Sequence, residues 1–216
     1  IYVVLLLGVL LLLTINPALS AYTMDNDDKL LIDLGLSTLF LGGLLLAAFN
    51  ATGVFSREIE NKTVLTVISK PVRRPAFVVG KYLGVTAALV LAYWIWSLAF
   101  LMTVRHAVLS HAGDEFDVPV LVIGGAGLLV PLALASAANF LYRRIFASTL
   151  AFLLAPVMTI AYVLILAIGK GWVLQPLATD FRPQLVLGLF LLLEALAILS
   201  AVALAASTRL GQVMTL

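Results

Sequence analysis

The sequence predicts an all-α fold: a polytopic membrane helical bundle of about six transmembrane helices with an amphipathic cytoplasmic helix. Three observations predict it. Of 216 residues, 63% are hydrophobic and only 11% charged, with a mean hydropathy of +1.15, whereas soluble domains run at about 45–50% and about 25%. A soluble domain of this size buries only about 70% of its chain surface, too little to hide such a composition. Six apolar stretches recur, each near the ~20 residues that carry a helix across a ~30 Å hydrocarbon core.

In chain order the stretches are 1–19, 34–55, 82–104, 118–141, 146–168 and 185–206, within a single transmembrane domain over 1–216. Leu10–Leu13 and Leu191–Leu193 show no period of two, and a barrel strand needs only half this length. The first stretch has a rival reading. Asn16-Pro17 followed by Ala18-Leu19-Ser20 resembles the end of a secretory signal peptide, although five further spans follow. The chain starts at Ile1 and stops inside the apolar run Val213–Leu216, so truncation at both ends is expected.

Loop charge sets the orientation. One set of loops carries Arg57, Lys62, Lys70, Arg73, Arg74, Lys81, Arg143, Arg144 and Arg209, against Lys29, Arg105, Lys170 and Arg182 in the other. The basic-rich set belongs in the cytoplasm, and the N-terminus with it, in a multi-pass protein of the cytoplasmic (inner) membrane. The net charge of +2 is too small for nucleic-acid binding. With no cysteine, disulfide frameworks, Cys-ligated metals and thiol nucleophiles are excluded.

The loop 56–81 is the long one. Ser56 can cap a helix whose first turn holds Glu58 and Glu60, where carboxylates favour the positive end of the dipole. Val64, Leu65 and Ile68 form one apolar stripe. Pro71 then disfavours helix at Lys70, and Arg73-Arg74-Pro75 makes a second break. Such an element suits the headgroup layer, near anionic lipid, or a cytoplasmic partner; an ordinary positive-inside loop is the third reading.

The string Arg57-Glu58-Ile59-Glu60-Asn61-Lys62-Thr63 through Ser69-Lys70-Pro71-Val72-Arg73-Arg74, followed by Gly80-Lys81-Tyr82-Leu83-Gly84, resembles the signature of type 2 ATP-binding-cassette (ABC) exporter permeases. The branch linked to multicopper-enzyme maturation is the most similar. Asp33-Leu34-Gly35-Leu36 is similar to the start of that family's second helix. The resemblance covers about the first 105 residues. It implies a permease subunit whose coupling helix seats in a groove of a separate ABC ATPase, which carries the ATP and Mg, beside a second permease copy or homologue. Carried over, Glu58, Glu60, Lys62 and Thr63 would be partner contacts, and Pro71 and Arg74 would shape the return to the membrane. Two readings of the second half stay open. Either 118–168 is the family's hairpin, or Leu193-Glu194-Ala195-Leu196 with Ala206–Gly211 marks its fourth helix after an inserted hairpin.

No cofactor site is expected in this chain. Neither Gly80-Lys81 nor Gly169-Lys170 completes Gly-x4-Gly-Lys-Ser/Thr, so ATP hydrolysis is expected on a separate subunit. Gly-x-Ser-x-Gly and His-Glu-x-x-His are absent, and no enzyme activity is expected. Glu194, nine residues into the last span, is the one intramembrane polar candidate. A central carboxylate costs ~2.5–3.5 kcal/mol on insertion scales, so it is read as a substrate or proton site or as an acid hydrogen-bonded to a neighbouring Ser or Thr. His106, His111, Asp114, Glu115 and Asp117 read as an exposed, solvated loop, since a spacing of five sets the rings about 140° apart on a helix. Tyr93, Trp94 and Trp96 fit bundle packing, as do the Gly124-Gly125-Ala126-Gly127 run and Ala133, Ala137 and Ala138. The expected function is transport. The alternative is a membrane-embedded scaffold or an intramembrane enzyme using Glu194.

Overall fold

Apolar runs of this length satisfy their backbone in lipid by closing each N–H onto its own helix. The computed structural model, which describes residues 2–20, 27–60, 74–108 and 116–207, consists of six such helices. They are α1 (Tyr2–Ser20), α2 (Asp27–Glu60), α3 (Arg74–His106), α4 (Val118–Tyr142), α5 (Phe146–Ala167) and α6 (Pro183–Ser207). Five are long and apolar enough to cross a membrane, and in α1 the apolar run is the shorter Tyr2–Ile15. The protein is thus a polytopic helical bundle. Among the described residues the only β pairing is the isolated bridge Ile168–Leu174.

Two helices overrun the apolar stretches. α2 starts at Asp27 rather than 34 and continues through Ser56 to Glu60, while α3 starts at Arg74 rather than 82. Polarity marks where the lipid ends, and Asp28, Lys29, Arg57 and Glu58 are all helix-competent. Ser56 is therefore an interior residue of α2 and not an N-cap, which corrects that expectation.

The hub is α3, which packs against all five other helices. Trp96 and Phe100 are completely buried on it. Its aromatic and hydroxyl side chains also reach the second lone pair of carbonyls in neighbouring helices. Trp96 Nε1 donates to Leu6 O (3.0 Å) and Thr103 Oγ1 to Leu13 O (3.3 Å), while Tyr2 Oη of α1 donates to Ala88 O (3.0 Å). These contacts advance together along both chains, so α1 and α3 run parallel. Tyr82 Oη donates to Ala197 O (3.3 Å) and Tyr93 Oη to Leu189 O (2.9 Å), a descending register that makes α6 antiparallel to α3. Each such bond contributes about 0.5–1.5 kcal/mol net. Tyr93 and Trp96 are packing residues; Trp94 is half exposed and donates to Thr159 of α5 (3.0 Å).

Glycines set how closely α2 approaches its neighbours. A Cβ on Gly35 would collide with the ring of Phe100 on α3, and one on Gly43 with the Leu196 side chain on α6. α4 and α5 form an antiparallel hairpin, closed where Arg143 adopts the left-handed conformation (φ 52°) and Asn139 Nδ2 donates to Arg144 O (2.6 Å). Gly127 lets α4 meet Ala161 and Met158 of α5, whereas Ala133 and Ala137 are exposed and pack against neither. The hairpin joins the rest of the bundle chiefly through α3.

Candidate functional site

Three places carry chemistry. The first is the end of the bundle where α2 finishes and α3 begins. The apolar span of α2 is Asp28–Gly53, yet the helix continues through Glu60, an overhang of about 10 Å at 1.5 Å per residue. Nothing comparable occurs at the neighbouring α4–α5 turn, which takes only residues 143–145. Glu58 and Glu60 lie on the last described residues of α2, and Arg74 on the first described residue of α3. Lys62, Thr63 and Pro71 lie outside the described residues. Because α2 runs unbroken through Ser56, the two acids do not stand in the first turn of a separate helix, the position expected for them.

The second place is Glu194, twelfth of the 25 residues of α6. It faces outward, on the side opposite Leu196 and Ser200, which are buried in the bundle. No hydrogen bond or ion pair reaches it among the described residues, so the neighbouring Ser or Thr expected for it is not there. Ser200 donates within its own helix, to Ala197 O (2.7 Å).

The third place was not legible as a site. Arg105, at the end of α3, lies between two acids, its Nε 3.4 Å from Asp117 Oδ2 and 3.3 Å from Asp180 Oδ2. Its Nη2 donates to Ile168 O at the end of α5 (2.6 Å). The Arg105 side chain is 7% exposed and that of Asp117 is 0% exposed. The expectation of a solvated loop is therefore corrected at Asp117, because closing the ends of α3, α4 and α5 together excludes water from it. His106 lies near Phe116, with ring centroids 6.2 Å apart and the planes tilted by 42°; His111, Asp114 and Glu115 lie outside the described residues. One signal was available: Asp117-Val118-Pro119 is an acidic N-cap with proline in the first turn, and Asp117 Oδ1 indeed accepts from Val120 N (3.2 Å).

Around this ion pair the connection 168–182 folds back on α5. Gly169 N donates to Val173 O (2.7 Å) and Gln175 N to Ala167 O (2.9 Å), with Gly171 at φ 80° making the reversal. Gln175 Nε2 donates to both Asp180 Oδ2 (2.6 Å) and Leu166 O (3.1 Å). With Lys170 these residues line a polar cavity of about 340 Å³. Two acids against two bases leave it neutral, and the arginine ties three helix ends together. A smaller apolar crevice of about 200 Å³ is lined by residues of α1, α3, α4 and α5, among them Thr14, His106, Gly124, Gly125 and Met158.

In comparisons with known proteins, no family model, no curated protein and no solved structure matches this chain.

Proposed function

We propose that this chain is the membrane-spanning permease subunit of an ABC exporter, forming the substrate path and drawing on a separate ATP-binding subunit, with its ATP and Mg, for energy. The observation that carries the reading is the overhang of α2. A helix that continues at least about 10 Å past its apolar span, on the basic-rich end of the bundle, carries Arg57-Glu58-Ile59-Glu60 of the family-like string beyond the lipid core. A groove lined by Arg or Lys on the ATPase would complement the charge of Glu58 and Glu60. The basic asymmetry puts this end, and the N-terminus, in the cytoplasm of a cell whose inner membrane houses the protein.

The test is ATPase retention. Glu58→Lys with Glu60→Lys sets like charges against that groove, a juxtaposition costing several kcal/mol at an interface. The variant should insert normally, because no apolar span changes, and should lose both its ATPase partner and substrate-stimulated turnover. A lipid-lying segment would instead be held more tightly by the added positive charge. Equal ATPase retention by wild type and variant would remove the permease reading.

A further inference from the structure

The helix α6 has two faces, and the bundle uses one. Leu189, Leu196, Ser200 and Leu204 are buried against the other helices. On the opposite side Leu187, Leu191, Glu194 and Ile198 follow one another at intervals of four, three and four, continuing to the half-buried Ala201. That is the 3.5-residue repeat of a helix–helix seam. The three apolar members are 60%, 57% and 66% exposed, so none of the described residues covers them.

We infer that this seam is where two copies of the chain pair in the membrane, with the Glu194 carboxyls hydrogen-bonded to each other across the two-fold axis. Exposed leucines alone would be satisfied by lipid. Glu194 would not, because hydrocarbon offers a carboxyl group no hydrogen-bond partner and the residue stands at mid-span, about 16 Å from the start of α6. The partner must therefore present a polar group at that depth. Among the described spans no other charged residue lies so deep: Asp28, Lys29, Asp33, Lys81 and Arg105 all stand toward helix ends.

A second copy supplies the group by symmetry. Copies of one chain insert with the same orientation, so α6 meets α6 in parallel and each seam residue faces itself at its own depth. A protonated carboxyl donates and accepts, and it pairs equally well with a second acid or a carboxylate. One buried polar position in an otherwise apolar seam also fixes register, as a single polar core residue does in coiled coils. The pairing deepens the permease reading, which asks for a second copy, but its test requires no ATPase.

The chain has no cysteine, so single cysteines report on it directly. In liposomes of phosphatidylcholine and phosphatidylglycerol, the full chain carrying Ile198→Cys or Leu191→Cys should form a disulfide-linked dimer under mild oxidation. Phe152→Cys, on an equally exposed face of α5, should not. Dilution in the same lipid, followed by energy transfer between labelled copies, should show Glu194→Leu weakening the dimer about tenfold and Glu194→Gln, which keeps both donor and acceptor, restoring it. Leucine suits a lipid-facing position, so this variant retains the fold. A purified wild type that stays monomeric, the outcome if lipid or a different protein covers the seam, would overturn the inference. So would equal cross-linking at 152 and 198, or an unchanged dimer in Glu194→Leu.

Discussion

Replacing Arg105 by leucine removes the one cation among the described residues that reaches Asp117, and the loss can be worked from the contacts around it. The Nη2 bond to Ile168 O (2.6 Å) is charge-assisted and contributes about 1.5–3 kcal/mol. Asp117 is completely buried, so taking away its partner strands a carboxylate, and breaking such a pair costs about 3–5 kcal/mol. Asp180 adds little, being about one-third exposed and held by Gln175 Nε2 at 2.6 Å. These contributions overlap, so about 3–5 kcal/mol is the expected total for Arg105→Leu. Asp117→Asn removes the charge but keeps the cap on Val120 N, since asparagine caps as well as aspartate. Combined with Arg105→Leu it should return about half of the loss, because no ionised group is then left unpaired. The assay is reversible unfolding in mixed micelles, followed by the three tryptophans. A single variant within about 0.5 kcal/mol of wild type, or a double variant whose losses simply add, would refute this account of the Arg105 cluster.

Two further outcomes are expected. Cysteines placed at Asn26, Gly113 and Thr179 should react with an impermeant thiol reagent from outside intact cells, while one at Asn61 should stay protected; labelling at Asn61 would reverse the orientation. Gly43→Val should drive a side chain into Leu196 and destabilise the α2–α6 contact by about 1–3 kcal/mol. Adding Leu196→Ala should recover part of that in the same unfolding assay, and strictly additive losses would show that the two residues do not meet.

The apolar runs made the number and order of the helices legible, because a lipid-crossing helix has to be apolar along its whole length. Helix ends were less legible. Hydropathy reports where lipid stops, and α2 goes on as a helix from Gly53 to Glu60 without it. Glu194 stood out as an isolated acid, but its direction could not be read: α6 is apolar on both faces, so no periodicity separates Leu196, inside, from Ile198, outside. Arg105, Asp117 and Asp180 looked like ordinary loop charges because they are far apart in sequence. Only the meeting of three helix ends makes them one cluster, and that meeting is a tertiary event.

The attachment of the α4–α5 hairpin has a mechanical consequence. Among the described residues α1, α2, α3 and α6 pack on one another, while the hairpin is held chiefly by α3. The seam along α3 is therefore the joint between a four-helix block and a two-helix attachment. Arg105, which pairs with Asp117 at the start of the hairpin's first helix and donates to Ile168 O just after its second, fastens one end of that joint. The opposite end, at Arg143 and Arg144, is a bare turn with both arginines exposed. Parting the joint would therefore cost most at the Arg105 end, where a buried ion pair has to be separated, and less at the arginine turn.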